Sequence, residues 1–407
     1  MKRIRKYLFA LTLASLISGY GLMMMLPGKK VDERAVLREL APGLVFSEKK
    51  TGPPHYRTAE GVIAFNTYDI VPSVRGYAGP IKVLLVLTPA GKIMGIGIID
   101  HRETKNYVHY METPDYLNRY LGKGINDPFE INKDVDGISR ATVSVEALAK
   151  TVRDSSRTVA STVLGIETGP ANAGPAGGTG WVWYLVLFTA AFGCYFITRR
   201  TKNLLRTRDI FLVLSILITG IYLSTPFSIL HVFNLLLLRP SSAPLWYAVL
   251  STTAVSLIFA GRFYCGWLCP FGALSEFIGR PPFRKWSVPV SADDSWRRFK
   301  YLLLGVILTL VFVSRRPEFG NFETYVTLFS LHGNILAWSL VGITLLANIR
   351  IERFWCRYLC PVAAFTGLLS KKTEGYPSRT DCPIGNRPLP LISECIRCNR
   401  CYRKTGT

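Results

Sequence analysis

The sequence predicts an α+β exported domain joined to a six-helix α-helical transmembrane domain with a short cysteine-rich tail. Three observations predict it. The 407-residue chain carries a formal charge of +22, yet its mean hydropathy is +0.23, too apolar for an ordinary basic soluble protein. The charge is uneven: residues 29–178 hold 19 Lys and Arg against 17 Asp and Glu, and the rest holds 30 against 10, in short basic blocks between apolar runs. That is the positive-inside pattern, and it argues against nucleic acid as a partner. Residues 29–178 contain no cysteine, whereas eight of the nine cysteines fall between 265 and 401. Disulfides favour the oxidising side of a membrane, so metal or redox duty is the better reading of these eight.

Residues 1–28 read as a signal anchor. Lys2, Arg3, Arg5 and Lys6 precede an uncharged run from Tyr7 to Leu26, and twenty helical residues span ~30 Å, a hydrocarbon core. A cleaved signal peptide is the alternative. Either reading exports residues 29–166. There Val31–Leu40 has helical character, and Val62–Tyr68, Ile81–Thr88 and Ile93–Asp100 are strand-like, the last two joined by the turn Pro89-Ala90-Gly91-Lys92. Val143–Thr162 reads as a helix with Val143, Leu148, Val152 and Val159 on or near one face.

The stretch Asp136-Gly137-Ile138-Ser139-Arg140-Ala141-Thr142-Val143-Ser144 ends where that helix starts. A hydroxyl there meets free backbone N–H groups and the positive end of the helix dipole, which suits a phosphate. On spacing alone the better reading is an N-cap at Ser139 or Thr142, with Glu146 in the first turns, since caps are common. Residues 167–180 form a Gly- and Pro-rich linker.

Residues 181–370 supply five further spans: Trp181–Thr198, Ile210–Phe227, Trp246–Tyr264, Tyr301–Ser314 and Ile335–Asn348. With the N-terminus inside, six spans put the basic blocks in the cytoplasm. Trp181, Trp183, Trp246 and Trp338 stand near span ends as interfacial anchors. His231 and His332 read as ordinary loop or interface residues.

One motif occurs twice. Residues 262–274 and 353–365 both read Arg-Phe-aromatic-Cys-x-aromatic-Leu-Cys-Pro-x-x-Ala-apolar, offset by 91 residues, at the expected cytoplasmic ends of spans four and six. Within a helix Cys265 and Cys269 share a face, as do Cys356 and Cys360, and the proline ends or kinks that helix. Two facing pairs make a four-thiolate site for an iron–sulfur centre or zinc. Cysteines packed as small apolar residues are the bland alternative, accepted for Cys194. In the tail, residues 371–407, Cys395, Cys398 and Cys401 form Cys-x2-Cys-x2-Cys, the head of a bacterial ferredoxin motif. Thr405 stands where the fourth cysteine would be, and Cys382-Pro383 is the expected substitute.

The stretch 136–144 resembles the flavinylation motif of the FMN-binding domain family, Asp-x-x-Ser/Thr-Gly-Ala-Thr-x-Ser/Thr. The resemblance extends over Gly76–Ile81, Gly91-Lys92-Ile93 and His101-Arg102-Glu103-Thr104, most of residues 55–165. It implies an FMN phosphoester on Thr142, attached by a flavin transferase, with Ser139, Ala141, Glu103 and Thr104 at the flavin. Arg140 stands where that family usually has Gly. Flavin domain, six spans, paired repeats and tail together resemble the NosR/NirI-like membrane flavoproteins, closest in layout to the PceC/RdhC type found beside reductive dehalogenases. The resemblance implies a multi-pass protein of the cytoplasmic membrane, in contact with lipid, with the FMN domain outside and the tail in the cytoplasm. It implies electron transfer from quinol or a cytoplasmic donor to covalent FMN, then to an extracytoplasmic reductase or its maturation. Cys382, Cys395, Cys398 and Cys401 would hold a [4Fe–4S] cluster. Cys265, Cys269, Cys356 and Cys360 would hold or support a second centre, and a bound quinone is one way to bridge the membrane. A redox sensor or assembly factor without sustained turnover is the rival.

Overall fold

Strand β3 (Lys82–Leu87) shows how the first unit is built, because Val83 to Leu87 are all fully buried. Such a run needs cover on both sheet faces. The computed structural model describes residues 14, 17, 18, 21 and 32–398, except 77–78, 102, 104–109, 132, 138–141, 169–178, 199–203, 239–240, 242, 282–284, 287, 315–316, 321, 332, 371–381 and 383–393. It divides into two compact units.

The unit of residues 27–178, joined by 238–246, opens with α1 (Glu33–Leu40), whose N-cap Asp32 accepts N–H bonds from Arg34 and Ala35. Strands β1 (Tyr56–Arg57), β2 (Ile63–Asn66), β3 and β4 (Ile93–Asp100) form one antiparallel sheet in chain order. Gly91, at φ +73°, closes the β3–β4 hairpin, a backbone state glycine adopts without strain. Successive residues alternate between faces. Val83, Leu85 and Leu87 join Val145, Leu148, Val152 and Val159 of the long helix α4 (Thr142–Val159), while Leu84 and Val86 join Leu37 and Tyr56. The short helix α2 (Thr67–Ile70) and the turn α3 (Pro114–Leu117) lie along the path. The expected second strand is cut short at Asn66 because its side chain caps α2, accepting from the Tyr68 N–H. In the 238–246 segment Ser241 donates to the Gly76 carbonyl at 3.1 Å.

The second unit is helical, and one of its helices, Pro244–Ala260, starts within the 238–246 segment of the first. Its elements are α5 (Gly180–Thr198), α6 (Leu204–Leu214) running on through a π-helical stretch Ser215–Tyr222, α7 (Ile229–Leu236), α8 (Pro244–Ala260), α9 (Phe263–Trp267), α10 (Pro270–Ile278), α11 (Val290–Ser314), α12 (Thr324–Ser330), α13 (Ile335–Arg350), α14 (Phe354–Tyr358) and α15 (Pro361–Leu369). By length and composition Gly180–Ile197 is apolar enough to cross a membrane; α12 and α13 pass together, but they meet at 106°, as a broken span or re-entrant loop would. Pro244–Ala260 is a shorter apolar helix. The N-terminal run falls almost wholly outside the described residues. Two expectations change. Trp246 is 1% exposed and packs inside, unlike Trp181 and Trp183, which face outward. His231 is no loop residue: it is buried in the first turn of α7, where its ring completes a capping box with Ser228. His332 lies outside the described residues.

In the first unit Glu33 ties α1 to its surroundings. It accepts from Lys49, Tyr56 and Asn66 at 2.7, 2.9 and 2.7 Å. Burial alone would raise its pKa, but these hydrogen bonds win and hold the carboxyl below the usual range. A depressed folded pKa gives stability that is present above the unfolded value and lost as pH falls through the folded one. Glu33→Gln should therefore cost about 1–2 kcal/mol at pH 7 and much less at pH 3. Amide hydrogen exchange of β2 and β3 in the full chain, at the two pH values, checks this.

Candidate functional site

The two thiol repeats fold alike. In each, a one-turn helix (α9, α14) carries the first cysteine, and the second cysteine caps the next helix (α10, α15) with proline at its first position. Proline suits that position because its missing N–H has no partner to lose there. The Cys269 thiol accepts the Gly272 N–H at 3.3 Å, and that of Cys360 accepts the Ala363 N–H at 3.4 Å. This corrects the shared-face expectation. Cys265 and Cys269 lie on separate helices, as do Cys356 and Cys360, because the proline begins a helix rather than ending one.

The repeats nevertheless bring their thiols together. Cys356 and Cys265 are within electrostatic reach of each other, and each is within reach of both Cys269 and Cys360; the Cys265 sulfur lies 3.8 Å from the Thr366 hydroxyl beside the second repeat. No disulfide occurs among the described cysteines. Also among the described residues, no three His, Cys, Asp or Glu side chains converge on a point that would hold a single ion. Zinc needs its thiolates ~2.3 Å from one centre. An iron–sulfur cluster offers several irons and accepts thiolates set further apart, so the donor set fits a cluster better than zinc.

Sequence reasoning missed the acids that hold this arrangement. Glu276 is fully buried between two arginines. It receives Arg208 in a fork at 2.7 and 2.7 Å and Arg353 at 2.7 Å. Arg208 also reaches the Gly266 carbonyl, and Arg353 the Cys265 carbonyl at 2.7 Å. One carboxylate thus joins α6, the first repeat and the second. Asp293 on α11 holds Arg297 and Arg357 at 2.8 and 2.7 Å and accepts from Tyr358 at 2.7 Å. The basic blocks are therefore not only solvated loops: Arg208, Arg297, Lys300 and Arg353 are buried and paired. Glu394 in the tail takes Arg297, Lys300 and Tyr301 at 2.8, 2.8 and 2.7 Å. Burial would raise its pKa, but Lys300, Arg297 and Arg262 prevail and hold it well below the carboxylate range. Of the tail cysteines, Cys398 is buried, Cys395 partly so and Cys382 exposed, while Cys401 lies outside the described residues.

In the first unit, helix α4 begins at Thr142. Ser139, Ala141 and Thr104 lie outside the described residues, and Thr142 is described in its backbone alone. Around this helix start, Glu103 is 2% exposed and accepts the Ser144 hydroxyl at 2.5 Å. Gly76 touches the same carboxylate so closely that a Cβ on it would collide. The Tyr116 hydroxyl donates to the Asp136 carbonyl at 3.0 Å and fixes the entry to the motif. Three separate segments thus meet at an 18-residue helix's N-terminus, a setting that fits a phosphate-bearing ligand.

Comparison with known proteins agrees. The FMN-binding domain family matches residues 76–156, and the 4Fe-4S binding domain family matches residues 242–289 and 331–377, each segment holding one repeat. Protein NirI of Paracoccus denitrificans is 32% identical over 250 residues, 53% of this chain and 37% of that protein. Regulatory protein NosR of Pseudomonas aeruginosa is 31% identical over 171 residues, 38% of this chain and 23% of its own length. The putative electron transport protein YccM of Escherichia coli is 32% identical over 162 residues, 37% of this chain and 42% of its own. The matches thus span less than half of each of these relatives. No solved structure matches.

The Glu276 node makes a sharp contrast. Glu276→Gln leaves two buried guanidinium groups without a counter-charge and should cost about 3–5 kcal/mol. Asp209→Asn removes the half-exposed one of Arg280's two carboxylate partners, the other being Glu276 itself, and should cost under ~1 kcal/mol. Thermal stability of the detergent-purified chain should fall only in the first.

Proposed function

The chain belongs to the NosR/NirI-like family of FMN-binding proteins, and from that premise we propose that it is a membrane-bound flavin and iron–sulfur electron-transfer protein. In this reading it takes electrons from quinol or a cytoplasmic donor and delivers them to FMN outside the membrane, then to a partner reductase or its maturation. The observation that carries the reading is the union, in one chain, of an FMN-binding stretch with two thiol repeats that fold against each other. When bound, FMN and a [4Fe–4S] cluster supply the electron chemistry that side chains lack.

The remaining work falls to the chain's own groups. Thr142 offers the hydroxyl for a phosphoester, with Ser139 and Ala141 in the same motif. The start of α4 presents free N–H groups and the positive dipole end to the phosphate. Glu103 holds Ser144 in the first turn of α4 and, with Thr104, borders the flavin. Cys265, Cys269, Cys356 and Cys360 form or support one redox centre, and Cys382, Cys395, Cys398 and Cys401 a second. Buried Arg208, Arg262 and Arg353 offset the negative charge that thiolates bring into an apolar interior. Six spans with the N-terminus inside place the flavin domain outside and the tail in the cytoplasm. A quinone bound among the spans would bridge the two sides. The partner system is a reductive dehalogenase, as the compact PceC/RdhC-like layout suggests, or a nitrous oxide or nitrite reductase, as the NosR and NirI likeness suggests. A flavin transferase would complete the set.

The likeness to NosR, a regulatory protein by name, favours a second reading, a redox sensor or assembly factor without turnover. Two measurements decide. Thr142→Ala, made alongside the transferase, should abolish in-gel flavin fluorescence; unchanged fluorescence removes Thr142 from its role. In liposomes, quinol or a reduced cytoplasmic donor should reduce the flavin of the wild type over many turnovers. Flavin that no donor reduces sinks the transfer reading and leaves the sensor.

A further inference from the structure

The tail does not stand apart from the repeats. Residues 394–398 lie against the first repeat and are held largely through their backbone. The Arg262 guanidinium donates to the Glu394 carbonyl at 3.0 Å, and the Trp267 indole donates to the Arg397 carbonyl at 3.1 Å. Arg397 sits at φ +57° and returns a bond to the Ala260 carbonyl at 2.9 Å. Gly266 makes the dock possible. A Cβ there would run into the Ile396 carbonyl oxygen. The matching position of the second repeat is Arg357, so only the first repeat has this seat.

The dock carries Cys398 toward the repeat thiols. Arg353 lies within electrostatic reach of both Cys356 and Cys398, and Arg262 within reach of Cys265 and Cys356. Both arginines occupy the same place in their repeats, and both are 1% exposed. In both, the Nε–H has no acceptor among the described residues. A buried donor without a partner costs about 1–3 kcal/mol, and here the same donor is orphaned twice, each time among thiols. An anionic sulfur-rich group is the acceptor that both would serve, since N–H bonds to cluster and thiolate sulfur are a means of tuning such a centre.

We propose that the docked tail and the two repeats build one iron–sulfur site, in which Cys398 joins Cys265 and Cys356 as ligands and Arg262 and Arg353 are positioning donors. Tail and repeats then share a centre instead of holding two. This rests on the iron–sulfur reading above but not on electron flux, so a chain that never turns over can still show it. Iron-free wild-type protein would fail the underlying reading itself.

The test is iron and sulfide per chain, with EPR of the reduced state, on full-length protein purified anaerobically. Flavin content serves as the folding reference, and Cys194→Ser as a control that keeps its iron. Cys356→Ser and Cys398→Ser should each lose the same signal and about four irons, one cubane; the double variant should lose no more than either. Additive losses, or full iron in either single variant, overturn the shared site. Should the cysteine variants fail to accumulate, Gly266→Leu blocks the seat with every cysteine present. It should abolish the same signal, and an unchanged spectrum overturns the proposal. Arg262→Lys should keep the iron and lower the midpoint potential in a redox titration followed by EPR; an unshifted potential removes Arg262 from its role.

Discussion

Glu276 is the carboxylate on which the thiol-bearing half of this molecule turns. Removing a carboxylate and two guanidinium groups from water costs several kcal/mol per ion, and the geometry returns it only because the contacts of the buried groups are short. The fork from Arg208 and the single bond from Arg353, with a longer one from Arg280 at 3.3 Å, fill the carboxylate. The spare N–H groups of the same arginines reach the Gly266 and Cys265 carbonyls. The acid therefore fixes the distance between the repeats, and with it the distance between their cysteines. Such a network contributes less to net stability than to a unique arrangement, and a redox site needs a unique arrangement.

Arg353 shows the constraint at work. Its backbone sits at φ +54°, the left-handed region that ordinary side chains avoid. The matching turn in the first repeat puts the positive φ on Gly261, at +65°, and leaves Arg262 at φ −75°. The two copies thus reach similar thiol geometry through different turns. In the second, strain at Arg353 is offset by the ion pair that it makes. The difference is also what lets one repeat carry Gly266 and a seat, while its twin carries Arg357 and pairs with Asp293 instead.

Much of this was legible in the sequence. Residue type located β3 and β4, and helical periodicity located α4, because both are local properties of the chain. The repeat was legible because seven of its thirteen positions are identical, both cysteines and the proline among them. The flavin motif was legible as a helix start with hydroxyls. The break between the paired cysteines had a signal that went unread: a cysteine before a proline is an N-cap followed by a favoured first position. Glu276 and Glu394 had none: Arg208 and Arg353 stand 68 and 77 positions from Glu276, and Arg297 stands 97 from Glu394. Asp293 had only half of one, its i,i+4 spacing to Arg297, while its other partner Arg357 is 64 positions away. Spacing rules do not reach that far.

The seat on the first repeat reads main chain, not side chain. The carbonyls of Glu394, Ile396 and Arg397 are what Arg262, Gly266 and Trp267 meet. Such a seat is strict about how many residues separate 394 from 398, because inserting or deleting one residue moves every carbonyl out of step. The side chains add their own demands: Glu394 pairs with Arg297 and Lys300, Arg397 donates to the Ala260 carbonyl, and Ile396 is buried. Among relatives, the length of this segment would be held as closely as its letters.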